Sequence, residues 1–128
     1  MVEEARAGTA TAPVSQNQRI LIVEDEENAR IGYEALLRKW GCEVLGVSSA
    51  EDALARFREF QPAVMIADVE LPGMNGLELL ERLKDDLRDV PVIVITGKGS
   101  EERAVAAIEA GAFWYIEKPL KTPVSLGV

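Results

Sequence analysis

The sequence predicts an α/β fold, a doubly wound five-stranded parallel sheet with helices on both faces. Five short runs of apolar and β-branched residues alternate with helical segments, the order expected of parallel strands joined by right-handed crossovers. The third run is apolar throughout its interior, as in a strand that is covered on both faces. The 128 residues are enough for one domain with one core. Flavodoxin-like and Rossmann-type strand orders both fit, but the absence of G-x-G-x-x-G after the first strand weakens the dinucleotide-binding alternative.

The first half of the chain predicts two strands and two helices. The strands are expected at 20–23 and 43–47, where apolar residues are concentrated. Between them, apolar residues recur at helical spacing and predict a helix at about 27–40. Ser48 and Glu51 stand three residues apart, which matches a capping box at the start of the second helix.

The second half continues the alternation. Strands are expected at 63–68, 90–96 and 113–116, where β-branched and aromatic residues dominate. A leucine stripe predicts a helix from 77 to about 83 or 87. Ser100 is expected to cap the fourth helix.

The ends of the chain do not share this pattern. Residues 1–17 are rich in Ala, Thr, Ser and Gln without periodicity, so we expect a disordered N-terminal tail. The domain itself is expected at 18–122. Residues 123–128 are interpreted as the truncated start of a last helix or as a tail, so the final helix is expected to be truncated or absent.

Composition limits the possible functions. The net charge of −8 disfavours direct nucleic-acid binding by this segment. Histidine is absent, which excludes Ser-His-Asp triads, His-ligated zinc and phosphohistidine on this chain. Cys42 is the one cysteine, so no disulfide within the chain is possible, and a buried or half-buried thiol is expected there. No apolar stretch approaches the roughly 18 residues that span a bilayer, so no membrane role is expected and a cytoplasmic location is the default.

Residues suited to phosphoryl chemistry stand at the ends of several predicted strands. Glu24 and Asp25 follow the first strand, Asp68 ends the third, Thr96 ends the fourth, and Lys118 follows the fifth. Ligands of an open parallel sheet bind just outside the carboxyl ends of its strands. The sequence therefore predicts one pocket with three carboxylates, a hydroxyl and an ammonium.

The three carboxylates of this pocket predict a divalent cation. Two carboxylates about 4 Å apart repel by about 4 kcal/mol at an effective dielectric near 20. Convergence of Glu24, Asp25 and Asp68 would raise their pKa values unless a cation lies among them. Mg²⁺ suits such a site because it takes few carboxylates and keeps water and phosphate ligands. The alternative is that Glu24 and Asp25 simply begin the first helix, where acids favour the helix dipole.

The other pocket residues have predicted roles in phosphoryl transfer. Asp68 is the candidate nucleophile, as carboxylates are in aspartyl-phosphate enzymes. Lys118 could neutralise the phosphoryl group, Thr96 could donate a hydrogen bond to it, and Gly97 leaves room for it. Taken singly, Thr96 could equally be an ordinary strand residue and Lys118 a solvated charge. Tyr115, near the end of the last strand, could be buried or exposed at modest cost.

The motifs ILIVEDEE, MIADVELPGMNGLELL, VIVITGKG and AGAFWYIEKPL stand in this order and resemble the receiver domain of two-component response regulators, over about 19–122. The resemblance implies a flavodoxin-like sheet of strand order 2-1-3-4-5. It implies that Asp68 is the phosphoacceptor. Asp25, Asp68 and the main-chain carbonyl of Glu70 would then bind Mg²⁺ directly, with Glu24 acting through water.

The resemblance also implies a conformational switch. Thr96 and Tyr115 would be its moving residues, Lys118 would bind the phosphoryl group, and the Lys118–Pro119 bond would be cis. Trp114 departs from the small or acidic residue frequent at its position. We further expect Glu70 and Lys98 to flank the mouth of the site and to pair across it, an exposed pair worth about 0–1 kcal/mol.

The implied function is that of a phosphoacceptor switch rather than an enzyme, loaded by a sensor histidine kinase or a phosphotransfer protein and reset by slow self-dephosphorylation. An output domain in a longer parent chain and a homodimer are both compatible with it. One alternative is an Mg²⁺-dependent phosphatase with an aspartyl nucleophile, although the partner acids at 24 and 25 lie upstream of Asp68 rather than downstream. The other alternative is a receiver-like protein-binding module that does not use phosphate.

Overall fold

A five-stranded parallel sheet with the order β2-β1-β3-β4-β5 forms the centre of the molecule. The structure is a computed structural model that describes residues 17–97 and 101–118. The strands are β1 (Arg19–Val23), β2 (Glu43–Val47), β3 (Val64–Asp68), β4 (Val92–Thr96) and β5 (Trp114–Glu117). The helices between them are α1 (Glu27–Lys39), α2 (Ala50–Phe60), α3 (Gly76–Arg82) and α4 (Glu101–Glu109). The predicted α/β class and the strand order 2-1-3-4-5 are confirmed.

The core has two layers because successive side chains of a strand point to opposite faces of the sheet. Leu21 and Val23 of β1 lie on the face that packs against α2, α3 and α4. Ile20 and Ile22 lie on the opposite face, with Tyr33 of α1. The central strands β3 and β4 are buried at every position, whereas β5 at the sheet edge is mostly exposed.

The strand register brings the carboxyl ends of the strands to one edge of the sheet. Val23 pairs with Ala67, so the residue after β1 lies beside Asp68. Asp68 in turn pairs with Ile95, and Thr96 pairs with Glu117. Polar residues that are far apart in the chain therefore meet at this edge.

The predicted start of α2 was wrong by one residue. The N-cap is Ser49 rather than Ser48, and its hydroxyl accepts a hydrogen bond from the backbone N–H of Asp52 at 3.0 Å. Both serines are competent caps, but the extended backbone of Ser49 (φ −148°) makes it the residue that precedes the first turn.

A reciprocal capping box does occur, at the start of α3. Asn75 accepts a hydrogen bond from the backbone of Glu78, whose carboxylate accepts one from the backbone of Asn75. This helix was predicted to begin at 77, but Gly76 is its first residue.

Several predicted ends were displaced. β4 begins at Val92 rather than at 90, since Val90 closes a turn onto Leu87 and Pro91 has no N–H to donate. β5 spans Trp114–Glu117, one residue later than predicted. α3 ends at Arg82, one residue before the shorter predicted limit of 83.

Some predictions fall on residues outside the described ranges. These are the tail at 1–16, Lys98, the cap at Ser100, the Lys118–Pro119 bond and the segment 123–128. Within the described residues, no helix is both long and apolar enough to cross a membrane.

Gly76 offers a direct test of how tightly α3 packs against the end of β3. A Cβ at this position would lie 2.5 Å from the carbonyl oxygen of Asp68 and 2.9 Å from the Cα of Val69. Both neighbours are backbone atoms, so they cannot rotate away. We expect Gly76→Ala to lower the free energy of unfolding by about 1–3 kcal/mol in urea denaturation.

Gly32→Ala is the matched control, because Gly32 lies at an exposed position inside α1 and a Cβ added there would meet no atom within 4 Å beyond its chain neighbours and the nearby backbone of its own helix. There the same substitution should raise the free energy of unfolding by up to about 1 kcal/mol. Equal stabilities for the two variants would contradict the close packing at Gly76.

Candidate functional site

Glu24 is held in a buried position directly after β1. Its side chain is 0% exposed, and its backbone N–H donates to the carbonyl of Val47 at 3.0 Å. The guanidinium of Arg30 donates to the carbonyl of Glu24 at 3.0 Å, and the backbone N–H of Glu26 donates to its carboxylate at 3.1 Å. These contacts fix the loop between β1 and α1, and they leave Asp25 exposed at the sheet edge.

Asp68, the last residue of β3, has both of its carboxylate oxygens occupied. Oδ1 accepts a hydrogen bond from the backbone N–H of Glu70 at 2.9 Å. Oδ2 accepts one from the ammonium of Lys118 at 2.5 Å. The residue is only 2% exposed, so these two donors supply the hydrogen bonds that water would otherwise give.

Lys118 joins the fifth strand to the acids. Its ammonium also lies 3.2 Å from Oε1 of Glu24, and its backbone N–H donates to the carbonyl of Thr96 at 2.8 Å. Burial by itself lowers the pKa of Lys118, but the hydrogen bond to Asp68 and the charges of Asp68 and Glu24 raise it well above its usual range. The lysine is therefore a permanent cation in this pocket.

Glu24 is the least well compensated of the acids. Its Oε1 lies 3.2 Å from the ammonium of Lys118 but outside hydrogen-bonding geometry, and within the described ranges no other buried side-chain nitrogen or oxygen lacks a hydrogen bond. Burial raises the pKa of Glu24, and the charge of Asp68 raises it further, while the backbone hydrogen bond from Glu26 and the charge of Lys118 oppose this. A buried carboxylate oxygen with a free lone pair is suited to an additional cation or its water ligand.

The carboxylates of Glu24, Asp25 and Asp68 fit a divalent metal ion. One oxygen from each lies within 4.8 Å of the others. When ionised, the three acids carry three negative charges against the single positive charge of Lys118, so two remain uncompensated. Hard oxygen ligands and a deficit of two charges match the chemistry of Mg²⁺.

The structure brings most of the predicted site residues together. Glu24, Asp25, Asp68 and Lys118 form one cluster, and Thr96 is buried at the end of the neighbouring strand. The alternative that Glu24 and Asp25 begin the first helix does not hold, because α1 starts at Glu27 with Glu26 as its cap.

The other predicted residues lie around the cluster. Gly97 is half-buried after β4. Tyr115 is 39% exposed on β5 and stacks on Trp114 with ring centroids 5.8 Å apart. Lys98 lies outside the described residues, so its predicted pairing with Glu70 stays a prediction. Within the described residues, the Glu70 carboxylate pairs with the guanidinium of Arg103.

Sequence reasoning missed Arg103, Arg30 and Gly76. Arg103 belongs to an exposed part of α4 and carries no motif that links it to Glu70, 33 residues away. Arg30 acts through a backbone carbonyl, which no side-chain pattern reveals. Gly76 could have been found, because a glycine at the start of a helix beside a candidate site often marks a close backbone approach.

Proteins of known family resemble this chain over most of its length. FixJ, a transcriptional regulatory protein of Rhizobium meliloti (strain 1021), is 41% identical over 103 residues, which are 80% of this chain and 50% of FixJ. DctD of Pseudomonas aeruginosa, a C4-dicarboxylate transport transcriptional regulatory protein, is 31% identical over 115 residues, which are 90% of this chain and 25% of DctD. The chain thus spans about a quarter to a half of these relatives.

Solved structures agree with this relationship. A response regulator receiver domain protein from Clostridium thermocellum superposes with a TM-score of 0.79 at 31% identity, over 85% of this chain and 90% of that one. The structure of FixJ-N gives a TM-score of 0.77 at 39% identity, over 85% and 87% of the two chains. The family model for the response regulator receiver domain matches residues 20–125. The chain therefore belongs to the response regulator receiver domain family.

Proposed function

We propose that this domain is a phosphoacceptor switch in which Asp68 takes a phosphoryl group from a phosphohistidine of a sensor histidine kinase or phosphotransfer protein. The observation that carries this proposal is the position of Asp68. Its carboxylate is buried at the strand end, oriented by the Glu70 amide and paired with the Lys118 ammonium. A carboxylate fixed in this way is aligned for attack on a group that enters from the sheet edge.

The transfer step is a displacement at phosphorus. A carboxylate oxygen of Asp68 forms the new P–O bond while the P–N bond to the donor imidazole breaks. The imidazole leaves with the electron pair of that bond and takes a proton from solvent. The product is an acyl phosphate on Asp68 and a neutral histidine on the donor.

Lys118 stabilises the charge that this step brings into the pocket. Its ammonium already bonds to Oδ2 of Asp68, within reach of any group attached to that carboxylate. Because the pKa of Lys118 is raised, the ammonium stays charged throughout the physiological range. After transfer, the ammonium would donate its hydrogen bond to a phosphoryl oxygen instead of the carboxylate oxygen, without leaving the site.

Asp25, Asp68 and the main-chain carbonyl of Glu70 are the proposed direct ligands of Mg²⁺, with Glu24 acting through water. Bound Mg²⁺ supplies positive charge to the oxygens of the transferring phosphoryl group. The exposed carboxylate of Asp25 and the Oε1 of Glu24, which faces Lys118 outside hydrogen-bonding geometry, support this assignment. The amide of Glu70 donates to Asp68, so the backbone of Glu70 lies close to the acids.

The switch would start from Thr96 and end at β5 and α4. Thr96 is buried beside Asp68, so its hydroxyl can move toward a phosphoryl group. Tyr115, which is partly exposed, would follow it inward, and the two arrangements would be populated before phosphorylation and shifted by it. Gly97 leaves space for the entering group.

The resulting acyl phosphate would be reset by water, which attacks phosphorus and releases inorganic phosphate, a proton and the Asp68 carboxylate. This slow self-dephosphorylation is a step of the switch rather than turnover of a substrate. We further propose that the domain acts in the cytoplasm and serves an output domain, because the relatives it matches are transcriptional regulators two to four times its matched length. A homodimer is a compatible assembly.

The charge deficit of the pocket leads to a prediction for Glu24→Gln. Because burial raises the folded-state pKa of Glu24 above its usual 4.5, the parent loses stability as pH rises through that pKa. In EDTA at neutral pH, the variant should therefore unfold with a free energy about 1 kcal/mol higher than the parent. The difference in the free energy of unfolding between the two proteins should shrink toward pH 4, where Glu24 of the parent is protonated.

The same pair of proteins tests the proposed cation. Mg²⁺ should stabilise the parent more than Glu24→Gln, as measured by urea denaturation with and without the metal. Glu81→Gln, a change at an exposed acid of α3, is the control for loss of one surface charge. Mg²⁺ should stabilise it as much as the parent. A variant less stable than the parent in EDTA would contradict the proposed electrostatics.

Phosphorylation itself can be tested with acetyl phosphate and Mg²⁺. The parent should gain the mass of one phosphoryl group in intact-protein mass spectrometry, and hydroxylamine should remove it, as expected of an acyl phosphate. Asp68→Asn should gain none, whereas Asp85→Asn, at an exposed position after α3, should be modified as the parent is. Equal modification of Asp68→Asn and the parent would rule out Asp68 as the acceptor and would favour another role for the domain.

A further inference from the structure

An ion pair connects the loop after β3 to helix α4. The guanidinium of Arg103 donates a charge-assisted hydrogen bond to Oε2 of Glu70. The two side chains are about half exposed, at 53% and 49%. Their separation of 33 residues means that the contact joins two elements that the chain does not hold together locally.

Glu70 also contacts the proposed phosphoacceptor directly. Its backbone N–H donates to Oδ1 of Asp68 at 2.9 Å, while its side chain reaches Arg103. Among the described residues, Glu70 therefore links the Asp68 carboxylate to α4 by one backbone and one side-chain contact. A change in the position of the carboxylate or of its hydrogen bond alters the environment of the residue that holds Arg103.

Within the described residues, helix α4 buries only small side chains. Its buried residues are Ala104 and Ala107, which bury little apolar area compared with a leucine or phenylalanine. Its larger apolar residues, Val105 and Ile108, are 57% and 39% exposed. An exposed ion pair shifts an equilibrium by up to about fivefold, enough to bias the position of a helix that is held by small side chains.

We propose that the Glu70–Arg103 pair is a regulatory contact that holds α4 in the arrangement of the unmodified domain and is released when Asp68 is phosphorylated. Arg103 is a positioning residue that acts through Glu70. This inference rests on the proposed function for its coupling to phosphorylation, but the holding of α4 is independent of it. The pair favours the unmodified state, so its loss favours the modified one.

The test uses Glu70→Gln, Arg103→Gln and the double variant. The first readout is amide hydrogen exchange in α4 (Glu101–Glu109) of the metal-free protein, which reports local opening. Each single variant should exchange about two- to fivefold faster in α4. The double variant should exchange no faster than the singles, because the contact can be lost only once.

The second readout is the affinity for beryllofluoride in the presence of Mg²⁺. Release of the pair predicts that both single variants bind it about two- to fivefold more tightly. Simple charge effects predict that the two affinities change in opposite directions. Glu70→Gln removes a negative charge near the anion and should strengthen binding, whereas Arg103→Gln removes a positive charge and should weaken it. The two single variants therefore separate release of the contact from a change in the local field.

The Arg56–Glu59 pair on α2 is the matched control. It joins the same two residue types, with Nε and Oε1 3.8 Å apart, and does not involve α4. Arg56→Gln and Glu59→Gln should change neither readout.

Unchanged exchange in α4, or beryllofluoride affinities that move in opposite directions, would overturn the proposal. If the parent itself fails to bind beryllofluoride, the proposed function fails. The exchange measurement would still decide whether the pair holds α4.

Discussion

The contact of the Lys118 ammonium with Asp68 and Glu24 is the interaction on which the site depends. It brings a cation from the end of β5 to two buried carboxylates at the ends of β3 and β1, and so ties three strands at one edge. Without it, the two acids would face each other in a poorly solvated pocket and would take up protons. One ammonium does not balance three carboxylates, however, and the remaining charge is what makes the pocket a candidate for a divalent cation.

The rest of the fold places these groups and leaves them little freedom. β3 and β4 are buried at every position, so Asp68 and Thr96 stand at the ends of the most deeply buried strands of the sheet. Gly76 lets α3 start against the backbone of Asp68, and Arg30 fixes the carbonyl of Glu24. By contrast, β5 and α4 are covered on fewer sides. The molecule thus combines a buried cluster with a more exposed edge, an arrangement compatible with the proposed population shift.

The sequence predicted the fold and the composition of the site because both depend on strong local signals. Apolar runs predicted the alternation of strands with helices, and the acids, Thr96 and Lys118 stand where those runs end. The features that it did not predict depend on the path of the backbone and on contacts between residues that are distant in the chain. Ser48 and Ser49 are both able to cap α2, and only the backbone path selects Ser49. The edge strand β5 lacks the pattern that burial on both faces imposes, so its bounds shifted by one residue. The Arg103–Glu70 contact joins exposed residues, which no periodicity marks.

A residue-resolved Mg²⁺ titration by NMR tests the central claim most directly, namely that one pocket of uncompensated carboxylates lies at the carboxyl edge of the sheet. We predict saturable shifts concentrated at the backbone amides of Glu24, Asp25, Asp68 and Glu70. Lys118→Ala should bind Mg²⁺ more tightly than the parent, because it removes the competing cation from the acids. Shifts that do not saturate, or that spread evenly over the acidic surface, would contradict the account.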